Sequence, residues 1–208
     1  MKNLKTLNIV TEVLGMPVLD PDTARLHGRV TEAIVHPTAG ALLGLLLETP
    51  GGAERAVLSE DCFIFGDVAA VLTPGCLVTE TARLADKLSA GVAVNRELLG
   101  AEVVTEAGEK LGHLTEAHIY EERLQVFYHI AQSRLQEFLG GGFFISGRLP
   151  LRWLREDAQL IVPAQQERFT REDGVPRDRS DPDPVAQSGA NPGQYPSSAE
   201  MHGMNDRM

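Results

Sequence analysis

The sequence predicts a mainly β protein: two tandem small β-barrels, a short helical linker between them and a disordered C-terminal tail. Three observations predict it. The chain repeats itself, its apolar segments are short and punctuated by turn residues, and its composition changes abruptly after Phe169. The repeat is legible in three matches that run in the same order. Leu14-Gly15-Met16-Pro17-Val18-Leu19 resembles Leu99-Gly100-Ala101-Glu102-Val103-Val104, an offset of 85. Gly28-Arg29-Val30-Thr31-Glu32-Ala33 resembles Gly112-His113-Leu114-Thr115-Glu116-Ala117, an offset of 84. Ala69-Ala70-Val71-Leu72-Thr73-Pro74 resembles Ala158-Gln159-Leu160-Ile161-Val162-Pro163. Matches in constant order at nearly constant offset mark a duplication.

The first repeat, residues 8–79, opens with a strand at Met16–Leu19, ended by Asp20-Pro21-Asp22-Thr23. Pro presets φ in such a turn and Asp caps it. A strand from about Leu26 to Val35 follows, then the turn His36-Pro37-Thr38-Ala39-Gly40. Leu42–Glu48 is almost continuously apolar, as a strand buried on both faces should be. Thr49-Pro50-Gly51-Gly52 breaks it, and shorter strands are expected near Ala56–Leu58, Phe63–Phe65 and Val68–Leu72. The second repeat, residues 98–168, follows the same plan. There the alternation of Leu124, Val126, Tyr128 and Ile130 predicts a strand with those four on one face. Its expected partner is Leu111–Tyr120, joined through Glu121-Glu122-Arg123. Several short strands at regular spacing suit a small barrel, which leaves no long open edge.

Between the repeats, residues 80–97 form the expected linker. Leu84 and Leu88, four apart, place one short amphipathic helix within Thr81–Leu88. Residues 170–208 hold no Leu, Ile, Phe or Trp, but five Pro, four Gly and four Ser. Such a segment buries too little apolar area to offset its ordering entropy, so an acidic, Pro-rich disordered tail is expected there.

The 208 residues carry a net charge of −10. An acidic surface repels phosphate backbones and anionic lipid headgroups, which disfavours direct nucleic-acid binding. No stretch reaches the roughly 20 apolar residues of a membrane span, leaving at most peripheral association with a membrane complex. The two cysteines, Cys62 and Cys76, lack CxxC spacing and read as small apolar fillers in a reducing compartment, a disulfide between them being the alternative that nothing in the sequence asks for. The expected location is the cytoplasm.

Several of these segments resemble a known family. Leu14-Gly15-x-x-Val18, then Leu26-His27-Gly28-x-Val30, resembles the opening of a PRC barrel, and so does Leu99 through Gly112. The family's later Pro-x-x-Asp-Val type of element appears loosely as Leu58-Ser59-Glu60-Asp61-Cys62, while Leu149-Pro150-Leu151-Arg152-Trp153 departs from it. The resemblance implies two PRC-type barrels and a task of protein–protein contact without chemistry. Family members serve in the photosynthetic reaction-centre H subunit and in a factor for ribosomal small-subunit maturation. Its motifs are Gly-and-apolar patterns, which specify a fold better than a function.

Catalytic signatures are lacking. No GxSxG, HExxH or dinucleotide-binding GxGxxG pattern occurs, and Gly140-Gly141-Gly142 is not followed by the Lys and Ser/Thr of a phosphate loop. His113 and His118, five apart on a strand, point to opposite faces and do not easily share a metal; with His129 they read as surface or packing histidines, a site formed by the three being the alternative. Glu32 and Glu116 recur at equivalent positions and read as duplicated hydrogen-bond acceptors. The expectation is therefore a non-enzyme with no cofactor and no metal. One stretch has the composition of an interface: Phe138, Phe143 and Phe144 flank a Gly-rich loop, followed by Arg148, Arg152, Trp153 and Arg155. Aromatic and Arg side chains on a loop are the usual stuff of binding hot spots, although Phe143 and Phe144 are equally compatible with core positions. The sequence thus predicts a docking module for another protein through residues 136–155. The alternatives are an RNA-processing or ribosome-assembly accessory factor and a small-molecule or metal-binding regulatory protein.

Overall fold

The computed structural model describes residues 6–59, 63–120, 124–139, 141–166 and 168–170; the predicted tail, the Glu121-Glu122-Arg123 turn and Cys62 lie outside them. The first half carries β1 (Thr6–Asn8), β2 (Pro17–Leu19), β3 (Leu26–His36), β4 (Ala41–Glu48), β5 (Glu54–Leu58), β6 (Phe63–Phe65), β7 (Ala70–Leu72), β8 (Thr79–Glu80) and α1 (Ala85–Leu88). The second carries β9 (Val92–Ala93), β10 (Glu102–Thr105), β11 (Lys110–Tyr120), β12 (Gln125–Ala131), α2 (Arg134–Phe138), β13 (Phe143–Ser146), β14 (Arg152–Leu154) and β15 (Gln159–Val162). The protein is mainly β, as expected.

Pairing reproduces the duplication strand for strand. The first copy runs β5-β4-β3-β2-β7-β6 and the second β13-β12-β11-β10-β15-β14, with β2–β7 and β10–β15 parallel and the other steps antiparallel. All belong to one mixed sheet that is not closed among the described residues, its path ending at β14 and β6. The third sequence match slips by one residue. Val18 pairs with Ala70 where its equivalent Val103 pairs with Leu160, so Ala70 corresponds to Leu160 and not to Gln159. Burial explains the register: Ala70, Leu72, Leu160 and Val162 point inward while Val71 and Ile161 are half-buried.

The copies meet about a local twofold. Ala41 pairs antiparallel with Gln125, its own equivalent 84 residues on. The flanking amides answer each other: Leu42 N donates to Leu124 O and Val126 N to Gly40 O, both at 2.9 Å. Gly40 is required here, since a Cβ would lie 1.9 Å from the Gly147 carbonyl carbon.

The copies also exchange their leading strands. β1 pairs with β11 of the second copy, Asn8 opposite His118, while β9 pairs with β3 of the first, Ala93 opposite Ile34. Each short strand runs into a single π-helical turn, Ile9–Val13 or Val94–Leu98. Both turns end at a glycine of positive φ, Gly15 (82°) and Gly100 (83°), a region that costs an L side chain about 1–2 kcal/mol. One hydrophobic cluster accordingly runs through both copies, from Leu7 and Ile9 to Leu160 and Val162.

One expectation is extended and one corrected. Val126, Tyr128 and Ile130 share the main core with Leu124 packed against it, as expected, but the other face of β12 is buried too, Gln125 and His129 included. Cys76 is disulfide-bonded, which replaces the reduced filler expected of it. The expected helix is present as a 3₁₀ turn, Thr81–Leu84, leading into α1. Leu84 and Leu88 pack on a second small cluster formed by Ile34, Leu46, Ala56 and Ala93.

Candidate partner-binding surface and polar cluster

The copies differ most in the connection after their fourth-strand equivalents. In the first copy β4 turns into β5 through a short hairpin, in which Thr49 N donates to Ala53 O and Gly52 N to Thr49 O. In the second, residues 132–142 lie between β12 and β13 and contain α2. Ser133 caps α2 by accepting from Gln136 N at 3.2 Å, and Gln136 Oε1 accepts from Gln132 N at 2.8 Å. Gly141 N then donates to Gln136 O at 2.8 Å, closing the segment. This well-made loop leaves its apolar side chains outside: Phe138 is 86% exposed, Leu139 72% and Leu135 68%.

The structure sorts the other sequence-predicted residues into packing and surface. Phe143 is half-buried against the main core, with the Arg168 guanidinium 4.7 Å from its ring centroid. Phe144 is half-buried edge-on to His118 and tilted against His129, at centroid distances of 5.1 and 4.7 Å. Its backbone bridges Phe169. Trp153 is half-buried on the core, with its Nε1 buried and lacking a hydrogen-bond partner among the described residues. Arg148 and Arg152 are exposed, and Arg155 reaches Glu97 at 3.0 Å. In the sheet order β13 and β14 stand at opposite edges of the second copy, so Phe143 and Phe144 belong to one strand and Arg152 and Trp153 to another remote from it in pairing. Leu139, part of the same aromatic stretch, and Leu135, which precedes it, are exposed with Phe138. Their signal was present in the i, i+3, i+4 spacing of Leu135, Phe138 and Leu139.

A second constellation lies at β11 and β12. Glu116 Oε2 accepts from Asn8 Nδ2 at 3.0 Å and contacts His118 Nε2 at 2.8 Å, while His129 Nδ1 stands 4.0 Å from Oε1. Thr115 Oγ1 is 2.7 Å from His129 Nδ1. The structure therefore gathers His118 and His129 around one carboxylate, whereas His113 stands apart beside Gly100 O at 3.3 Å. Cross-strand register makes the group, since β12 lays His129 opposite Glu116 and Phe127 opposite His118. Among the described residues no group of three or more His, Cys, Asp or Glu has the arrangement to hold a metal ion.

Two carboxyls are held below their ordinary range: Asp20 chiefly by the Thr23 hydroxyl, and Glu102 chiefly by the Lys110 ammonium. Burial pushes the Tyr128 hydroxyl up. Among the described residues no helix is long and apolar enough to cross a membrane. No protein-family model matches the chain, and no curated protein matches it.

Proposed function

We propose that the chain is a non-catalytic docking module of PRC-barrel type, each repeat contributing one barrel, that binds another protein through α2 and the loop around it. The observation that carries the reading is the insertion. The first copy completes the same strand order without it, and the three large apolar side chains it adds are exposed. Aromatic and aliphatic anchors ringed by Arg are the composition of binding hot spots, and Arg134 and Arg168 lie within and beside this segment. The PRC-barrel reading rests on the Gly-and-apolar motifs at Leu14–Val30 and Leu99–Gly112 and on the repeated strand order. The cytoplasm is the compartment proposed from composition, and the disulfide at Cys76 is a feature that favours an oxidising one instead.

The test is affinity capture with the tagged full chain, comparing wild type with Leu135→Ser/Phe138→Ser. The double variant removes no buried contact, so its circular dichroism and melting should be unchanged while a discrete protein partner is lost. A partner retained by the variant would refute the surface. Capture that depends on RNA, abolished by ribonuclease, would favour the assembly-factor alternative.

A further inference from the structure

A groove in the first copy is separate from the docking surface and lies between the turn before β3, the tip of the β4–β5 hairpin and the segment leading into β8. Its cavity of ≈ 530 Å³ is lined among others by Arg25, Leu26, His27, Pro50, Arg55 and Val78. On a chain of net charge −10, this lining holds two guanidiniums and an imidazole and no carboxylate. Neither Arg25 nor Arg55 forms an ion pair among the described residues. Asp20 stands 3.6 Å from His27 Nε2 but is engaged inside its own turn, accepting from Thr23 Oγ1, Thr23 N and Asp22 N.

The fold does not require these cations. Arg25 precedes β3 by one residue, and the equivalent residue before β11 is Glu109. Arg55 stands opposite Leu47, and at the equivalent pair of the second copy Phe143 stands opposite Ile130. Two arginines from separate segments of the chain, absent from the twin site and converging on one cavity, are what an anion site needs.

We propose that this groove binds a phosphomonoester, its dianion between Arg25 and Arg55 and its organic body against Leu26, Pro50 and Val78. Each guanidinium presents a planar fork of N–H donors that matches phosphate oxygens, and two positive charges balance a dianion. The volume falls within the roughly 300–1,000 Å³ of small-molecule sites.

The experiment is isothermal titration of the full chain with inorganic phosphate, phenyl phosphate and chloride at constant ionic strength. Phenyl phosphate should bind, inorganic phosphate should bind more weakly for want of the apolar wall, and chloride should give no saturable signal. Arg25→Ala/Arg55→Ala should weaken phenyl phosphate by at least about tenfold, while Arg152→Ala on the other copy leaves it unchanged. Equal binding by the double variant, or equal loss with Arg152→Ala, would overturn the site. Should the double variant fail to fold, Arg25→Glu at an exposed position gives the same reading alone.

Discussion

The two π-turns share one backbone and differ in what satisfies their first amides. At Val94–Leu98 the work is done across the copy boundary. Glu32, 1% exposed, accepts from Asn95 N at 2.9 Å, from Arg96 N at 3.2 Å and from Arg96 Nε at 3.2 Å. At Ile9–Val13 a local side chain takes over. Asn8 Oδ1 accepts from Val10 N at 2.9 Å and Thr11 N at 3.2 Å, and Glu116, the equivalent of Glu32, holds Asn8 from behind. Once Asn8 supplies the cap, Glu116 is released from the amides and can engage His118. Where the first copy has Ile34 and Ala93 paired in an apolar cluster, the second has His118 and Asn8. Duplication thus preserved the hydrogen-bonding demand of the backbone while letting the two copies meet it with different chemistry.

That comparison breaks most visibly at the carboxylates. Glu32→Ala leaves two helix-start amides and the Arg96 guanidinium without their buried acceptor, so a loss of about 3–5 kcal/mol in urea unfolding is expected. Glu116→Ala should cost about 1 kcal/mol, because Asn8 still caps its turn. Equal losses at the two sites would show that the caps are not distinct. The smallest effect tests another position where the copies differ. Tyr128 occupies the place of Leu45, both standing opposite the equivalent alanines Ala117 and Ala33; it is wholly buried, and its hydroxyl has no hydrogen-bond partner among the described residues. Tyr128→Phe removes an unsatisfied group without opening a cavity, so stability should stay level or rise by up to about 1 kcal/mol. A clear loss in the same urea assay would mean that the hydroxyl is satisfied.

Local pattern made much of the fold readable. Gly15 and Gly100 mark equivalent turns, the Leu42–Glu48 run forms a strand buried along most of its length, and Leu84 and Leu88 lie on one short helical segment. The strand exchange was not readable, because Thr6-Leu7-Asn8 finds its partner more than a hundred residues away and three residues carry no periodicity of their own. The slip between Ala70 and Leu160 arose from matching letters where burial sets the register. His118, His129 and Glu116 were each visible, but only the pairing of β11 with β12 brings them together. The proposed surface was half legible: Phe138 stands exposed at the end of α2, whereas Phe143 and Phe144 sit on a paired strand and are half-buried.

The longer connection of the second copy supports the same conclusion as the two caps, since a residue not needed by the duplicated fold is free to do something else. Replacing residues 132–141 by the first copy's hairpin, Thr49–Ala53, tests this most directly, with melting and partner capture read on the same protein. The account predicts a folded chain whose melting temperature is little changed and which no longer captures its partner. An unfolded chain would show that the insertion serves the core, and a folded chain with capture intact would show that docking lies elsewhere.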